Sequence, residues 1–450
     1  MRTTILLDHE ETPAGRVVRA LLRLEGDVPT SATRVPLNLS LVLDRSGSMG
    51  GGKLVAAREA AALLVRGLAL EDVVSVVAYD DEVSVISEPV SGTGGADVPA
   101  RIERIETGGS TNLSGGWLRG RELVQSRLAA GGVNRVVLLT DGQANVGLTR
   151  HDQLVGMCRA GREHGVSTTT IGFGQDYDEV LLRDMADAGG GNAYYIERSD
   201  QAAAIFGDEL QGLLGLGAQN VRVEVRPAAA VTLAAVHHEY PRTTAADGAL
   251  RLDLGDLYAR EPRSLLCEFL VTADAGQATS LPVATLVVTA DVVVAEGIEH
   301  RRVELPITVS PADGPRVDAD IQRELLLLEA ARARREALEA ERAGEYERGR
   351  AHLVAAHTRL SAFAAGDPQL GEEAEDLALS ATLYEAREVV EADRKYLRHR
   401  AYNVTTGRAA KSELIRRTRR QAPDPDAQAQ PRPLQDLDVP TMPPPASDPS

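Results

Sequence analysis

The sequence has few of the residues that disulfide-rich or aromatic-rich folds need. Its 450 residues include two cysteines, Cys158 and Cys267, and aromatic residues make up only 3%. Two cysteines exclude a disulfide framework, and neither lies in a metal-binding spacing such as C-x-x-C. We interpret both as reduced thiols within hydrophobic cores. Those cores must be built mainly from valine, leucine, isoleucine and alanine.

The sequence also lacks a net positive charge and long apolar runs. The formal net charge is -17, which argues against nonspecific binding to nucleic acid or to an anionic membrane. No window approaches 18 uninterrupted apolar residues, so we expect no transmembrane helix. The segment Met1–Glu10 contains acidic residues and no long apolar run, and it does not resemble a signal peptide. We therefore expect a cytoplasmic protein, and the frequent alanine, arginine and glycine suggest a bacterial source.

Hydrophobic periodicity divides the chain into segments of different class. From about 36 to 215, apolar strand-like runs alternate with segments of helical period, which predicts a largely parallel sheet between helices. The short turn Asp80–Glu82 predicts one antiparallel hairpin at the sheet edge. Residues 1–33 and 218–310 contain β patterns without helical period. We therefore predict an α/β fold whose doubly wound, mostly parallel sheet is inserted in a β-sandwich.

The last part of the chain has a different composition. Residues 316–420 are dense in Glu, Arg, Ala and Leu with helical periodicity, which predicts a helical region after the sandwich. Residues 421–450 contain nine prolines in 30 positions and few apolar groups. This composition predicts a disordered tail, because such a segment cannot bury enough apolar surface to fold.

The most informative sequence is a predicted buried strand that ends in Asp44. Ser46 and Ser48 follow it at alternating positions, before a helical segment begins. Two more polar pieces, which carry Thr111 and Asp141, lie at similar strand ends further along the chain. Open α/β sheets hold their ligands at the carboxyl ends of strands. All five side chains offer hard oxygen atoms, which suit Mg²⁺ or a similar small cation.

Together, the D-x-S-x-S sequence, the later threonine and the Asp-Gly pair resemble the metal-ion-dependent adhesion site of the von Willebrand factor A family. The three pieces occur in the family's order and at about its spacing. The resemblance implies that Ser46, Ser48 and Thr111 bind Mg²⁺ or Mn²⁺ directly, while Asp44 and Asp141 act directly or through water. Because few negative ligands then touch the ion, it attracts a carboxylate from a partner protein.

Two function classes compete for this site. The leading hypothesis is a noncatalytic interaction module that binds an Asp or Glu of a partner protein through the cation. The resemblance suggests an AAA+ ATPase or a signalling protein as the partner, as for bacterial intracellular members of the family. The alternative is a Mg²⁺-dependent hydrolase or phosphotransferase that uses the same strand-end site. Such an enzyme needs a nucleophilic Asp, a Lys clamp or a second metal, and the sequence identifies none.

Ordinary structural roles also compete with a metal site. A Ser or Asp after a strand is often only a helix cap, and Ser48 is positioned to cap a helix that begins near Gly51. The joint match of three pieces at three strand ends argues against this explanation for the whole site. We interpret Asp80 and Asp81 as solvated turn residues, and the pair Gly108–Gly109 as a flexible part of the second loop.

Overall fold

The computed structural model describes most of the chain outside its C-terminal segment. The described ranges are 1–12, 15–27, 35–91, 95–129, 131–174, 176–259, 261–272, 280–294, 297–310 and 314–407. The disordered tail predicted at 421–450 lies outside the described residues, as do residues 408–420 of the predicted helical region.

Strands and helices appear along the chain in three blocks. The strands are β1 Arg2–Thr12, β2 Gly15–Glu25, β3 Leu37–Asp44, β4 Val73–Tyr79, β5 Val83–Ser91, β6 Val133–Thr140, β7 Ser167–Phe173, β8 Gly190–Ile196, β9 Leu216–Pro227, β10 Val231–Val236, β11 Arg242–Thr244, β12 Leu250–Tyr258, β13 Arg263–Val271, β14 Leu281–Val294 and β15 Gly297–Val309. The helices are α1 Gly52–Arg66, α2 Val98–Ile102, α3 Leu113–Gln125, α4 His151–Glu163, α5 Glu179–Gly189, α6 Ala202–Leu214, α7 Ala319–Arg342, α8 Tyr346–Phe363, α9 Pro368–Ala386 and α10 Glu391–Thr405.

A six-stranded sheet forms the centre of the α/β domain. Its strand order is β5-β4-β3-β6-β7-β8, and β5 pairs antiparallel with β4 as the predicted edge hairpin. The side chains of β3 alternate between two covered faces. Leu39 and Leu41 pack in the core that includes Leu54 of α1, whereas Val42 packs in the core that includes Trp117 of α3. Because both faces are covered, a central parallel strand is apolar at almost every position.

The α/β domain is inserted in a β-sandwich, as predicted. The sandwich consists of a sheet with the order β1-β2-β13-β10 and a second with the order β11-β12-β9-β14-β15. Strand β2 pairs antiparallel with both β1 and β13, so strands before and after the α/β domain share one sheet. Val18, Leu22, Val223 and Leu265 are buried in the core between the sheets. The domain boundaries that we predicted from the sequence stay predictions.

The C-terminal helices cover the outer face of the four-stranded sheet. Leu21 of β2 and Leu266 of β13 share a core with α7 residues such as Leu327. Their neighbours in sequence point into the sandwich, so β2 and β13 are buried on both faces. The predicted helical region therefore follows the sandwich and packs on it. None of the described helices is long and apolar enough to cross a membrane.

A buried ion network joins the α/β domain to the sandwich. Arg135 of β6 has a fully buried side chain, lies 3.2 Å from Glu209 of α6 and forms an ion pair with Asp256 of β12. It also donates a hydrogen bond of 3.0 Å to the hydroxyl of Tyr258. Burial alone would lower the pKa of Arg135, but Tyr258 and the two carboxylates raise that pKa well above its usual value. The guanidinium therefore stays charged between the two domains.

Removing this guanidinium should destabilise the fold strongly. We expect Arg135→Met to lower the free energy of unfolding by about 3–5 kcal/mol, because it removes the positive charge that two buried carboxylates pair with. The control is Arg66→Met. The Arg66 side chain pairs with Glu103 at 3.0 Å, with both side chains 55% exposed, so its loss should cost no more than about 1 kcal/mol. Urea denaturation measures both changes, and equal losses would contradict the account.

Candidate metal centre

The parallel pairing of β3 with β6 assembles the candidate site. The register aligns Leu43 of β3 with Leu139 of β6, so Asp44 and Asp141 follow at neighbouring strand ends. After β3 the chain forms a 3-10 turn at Gly47–Met49 before α1 begins. The pairing therefore places two polar loops side by side at the carboxyl edge of the sheet.

The structure brings the five predicted side chains to this one edge. The hydroxyl oxygens of Ser46 and Ser48 lie 3.1 Å apart, and the Ser48 hydroxyl donates to Asp141 Oδ1 at 2.7 Å. A Cβ built on Gly142 would lie 3.5 Å from Thr111 Oγ1 and 3.6 Å from Ser48 Oγ. The hydroxyls from the first and second loops therefore converge beside the Asp-Gly turn. Their role as metal ligands stays a prediction.

Asp44 is fully buried and uses both carboxylate oxygens within the protein. Oδ1 accepts a hydrogen bond of 2.8 Å from the backbone N–H of Ser46, and Oδ2 accepts one of 2.6 Å from Thr140 Oγ1. Burial raises the pKa of Asp44 and the nearby Asp141 raises it further, while the hydrogen bonds from Ser46 and Thr140 lower it only in part. Asp44 thus ties the serine loop to the end of β6. The sequence analysis did not identify Thr140, which precedes the predicted Asp141 directly.

A lysine also enters the site. Lys53, in the first turn of α1, places its Nζ 2.7 Å from Asp141 Oδ2. Its side chain is 28% exposed, whereas the Asp141 side chain is fully buried. The sequence analysis missed this residue, although its position directly after three glycines at the helix start was a usable signal. The ammonium group partly neutralises the carboxylate at the place where a cation would bind.

Two carboxylates that we interpreted as solvated turn residues hold the second loop instead. Asp80 Oδ2 accepts a hydrogen bond from the N–H of Gly109 at 3.1 Å, and Asp81 Oδ1 accepts one from the N–H of Ser110 at 3.2 Å. A Cβ on Gly108 would lie 1.6 Å from Asp80 Oδ2, and one on Gly109 would lie 1.8 Å from Asp81 Oδ1. The interpretation was wrong for Asp80, which is buried, and the two glycines allow the close approach of both carboxylates.

The backbone of Thr111 is fixed, while its hydroxyl is left without a protein partner. The N–H of Thr111 donates to Asn145 Oδ1 at 2.8 Å, and its carbonyl accepts from the N–H of Asn145 at 3.1 Å. The next residue, Asn112, caps α3 by accepting from the N–H of Gly115 at 3.0 Å. Within the described part of the chain, the Thr111 hydroxyl makes no hydrogen bond. It is therefore available to a ligand of the site.

The fold and the site together define a class of protein. It is a doubly wound α/β domain with a cluster of side-chain oxygens at the carboxyl edge of its sheet. Residues 38–208 match the family model of the von Willebrand factor type A domain. The chain therefore contains a von Willebrand factor type A domain. Domains of this family are in general metal-dependent protein-interaction modules and typically bind a divalent metal.

Known proteins resemble different parts of the chain. YfbK of Escherichia coli is 30% identical over 190 residues, which cover 42% of this chain and 33% of YfbK. The protein sll0103 of Synechocystis is 30% identical over 242 residues, which cover 52% of this chain and 57% of sll0103. The chain thus spans about a third to somewhat over half the length of these curated relatives. A solved von Willebrand factor type A structure from Catenulispora acidiphila shares the fold, with 20% identity, a TM-score of 0.63 and coverage of 88% of this chain and 89% of that one.

The hydrogen bond from Thr140 to Asp44 should stabilise the domain even without a metal. We expect Thr140→Val to lower the free energy of unfolding in EDTA by about 1–3 kcal/mol, because it leaves a buried carboxylate oxygen without its donor. Chemical denaturation measures the change. The control is Thr358→Val, whose exposed hydroxyl donates to Val354 O within α8 and should change stability by less than about 0.5 kcal/mol. Indistinguishable results for the two variants would refute this role of Thr140.

Proposed function

We propose that this chain is a noncatalytic protein-interaction module that binds a partner carboxylate through a divalent cation. The cation, Mg²⁺ or Mn²⁺, is held by Asp44, Ser46, Ser48, Thr111 and Asp141. The observation that carries the proposal is the convergence of hydroxyls from two loops beside two buried carboxylates. The family's general role as a metal-dependent interaction module supports it.

The spacing of the oxygens fits the coordination of Mg²⁺. Adjacent oxygens of an octahedron with metal–oxygen bonds of about 2.1 Å lie about 3.0 Å apart. The Ser46 and Ser48 hydroxyls are 3.1 Å apart, and Ser48 Oγ lies 2.7 Å from Asp141 Oδ1. The unpartnered Thr111 hydroxyl supplies a further oxygen from the opposite loop. These oxygens are hard ligands, some of them neutral hydroxyls and some carboxylates, and such ligands suit Mg²⁺ and Mn²⁺.

The distribution of charge favours an acidic partner. Asp44 uses both oxygens in hydrogen bonds to Ser46 and Thr140, and Lys53 already pairs with Asp141. A bound dication would therefore keep much of its positive charge. A carboxylate that replaces one of its waters gains from that charge, and an Asp or Glu of another protein supplies one.

The proposed partner class rests on analogy with bacterial intracellular members of the von Willebrand factor A family. We propose an AAA+ ATPase or a signalling protein that presents an exposed Asp or Glu, in the bacterial cytoplasm. Cys158 and Cys267 are free and buried, and burial raises the pKa of each thiol to about 12. Unpaired core thiols support a reducing compartment.

Metal binding should depend on the two serine hydroxyls. We expect the wild type to bind one Mg²⁺ or Mn²⁺, and Ser46→Ala/Ser48→Ala to bind at least about tenfold more weakly, because two ligands are lost. Isothermal titration calorimetry measures both affinities. Ser110→Ala is the control, since it removes an exposed hydroxyl from the second loop that we do not assign as a ligand. Unchanged affinity in the double variant, or no binding to wild type, would reject the site.

Lys53 should weaken metal binding by charge repulsion. We expect Lys53→Met to lower the Mg²⁺ dissociation constant by about tenfold, which corresponds to about 1.4 kcal/mol of relieved repulsion. The control Arg66→Met removes a positive charge from the other end of α1 and should leave the affinity close to that of wild type. The same calorimetric titration tests both variants. A weaker affinity for Lys53→Met would show that the ammonium supports the site instead of competing with the ion.

Partner binding should require both the cation and the Thr111 hydroxyl. In Mg²⁺, immobilised wild type and Ser110→Ala should retain the same proteins from a lysate of the source organism, and EDTA should release them. Thr111→Val should retain at least about tenfold less while keeping its melting temperature, because the hydroxyl makes no hydrogen bond in the described protein. Retention that survives EDTA would contradict a metal-bridged contact.

A further inference from the structure

A second possible ligand site lies in a cleft where all three parts of the molecule meet. The cleft has a volume of about 680 Å³ and is lined by residues of α5, of the β10–β11 connection and of helices α7 and α10. None of the residues that line it belongs to the proposed metal centre. Volumes of about 300–1,000 Å³ are usual for small-molecule sites, and junctions between domains are frequent locations for them.

Five arginines line this cleft, although the whole chain is acidic. Three carboxylates also line it, and each already has a partner. Asp184 lies 3.0 Å from His151 Nε2, Asp187 accepts a hydrogen bond from the Tyr402 hydroxyl, and Glu239 forms an ion pair with an arginine of α7. The arginines are Arg183, Arg242, Arg332, Arg335 and Arg398. Arg183, Arg335 and Arg398 are paired with carboxylates, so the positive charge that remains uncompensated in the cleft is that of Arg242 and Arg332.

Two of these arginines have unused hydrogen-bonding capacity within the described part of the chain. Arg242 and Arg332 are exposed to solvent, and within the described residues neither side chain makes a hydrogen bond or an ion pair. His237 also lines the cleft, and its Nε2 is buried without a hydrogen bond. The carboxylate oxygen Oε2 of Glu268 lies 3.6 Å from that nitrogen. Because that nitrogen is buried beside a carboxylate, the donors available to an anion in the cleft are those of Arg242 and Arg332.

We propose that this arginine cleft binds a compact, multiply charged anion through its phosphoryl groups. Guanidinium groups present paired N–H donors that match phosphate oxygens, and such charge-assisted bonds are stronger than neutral ones. The net charge of -17 opposes a long polyanion that would extend over the acidic surface. A small phosphorylated molecule meets mainly the local positive charge, so it fits better than a nucleic acid or an acidic protein segment.

The test is calorimetric titration of the full chain with inorganic pyrophosphate and, separately, with ADP, in EDTA. The chelator removes divalent cations, so the result is independent of the proposed metal centre. We expect saturable binding with one site per chain. Arg242→Ala/Arg332→Ala should weaken it at least about tenfold, and this variant should fold normally because neither side chain has a partner among the described residues. The control Arg104→Ala removes an exposed arginine that also lacks an ion pair but lies outside the cleft.

The pattern of affinities decides the outcome. Equal affinity for the two probes would support recognition of the phosphoryl groups alone, and tighter binding of ADP would support an added contact with the nucleoside. Absence of saturable binding by either probe would overturn the proposal. So would undiminished binding by the double variant, or an equal loss in Arg104→Ala, because either result would assign the effect to general charge.

Discussion

The candidate site depends on the parallel register between β3 and β6. That register brings Asp44 to the end of β6, where Thr140 donates to its Oδ2 at 2.6 Å. The same carboxylate accepts from the N–H of Ser46 and so holds the serine loop in place. The position of the serine loop in turn places the Ser48 hydroxyl beside Asp141. One buried hydrogen bond thus connects the sheet to the arrangement of the oxygens.

The sandwich and the C-terminal helices contact the α/β domain at separate places. Arg135 joins the sheet to the sandwich through buried ion pairs. Helix α10 contacts the segment after β7, where Lys395 Nζ lies 3.8 Å from the centre of the Tyr177 ring and Arg398 lies 2.9 Å from Glu179. The sandwich and the helical region therefore hold the α/β domain in a defined orientation. This arrangement also forms the arginine cleft at their junction.

The fold was predictable because its signals are local and repeated. Alternation of strand and helix periods identified the parallel sheet, and the β patterns on both sides of it identified the inserted arrangement. The candidate site was only partly predictable. Thr140 and Asn145 carry no motif, because their roles arise from tertiary contacts, and the only sequence signal for Lys53 was its position after three glycines. A helix cap was the competing role for Ser48, but its hydroxyl donates to Asp141, and Gly51 occupies the cap position of α1 without a side-chain bond.

The most direct test of the central claim is diffraction from crystals soaked in Mn²⁺, with data collected near the manganese absorption edge. Anomalous scattering locates the ion independently of any affinity measurement. The account predicts one anomalous peak within coordination distance of the hydroxyls of Ser46, Ser48 and Thr111, with an exchangeable position facing solvent. The absence of a peak at saturating Mn²⁺, or a peak that contacts none of these hydroxyls, would contradict it.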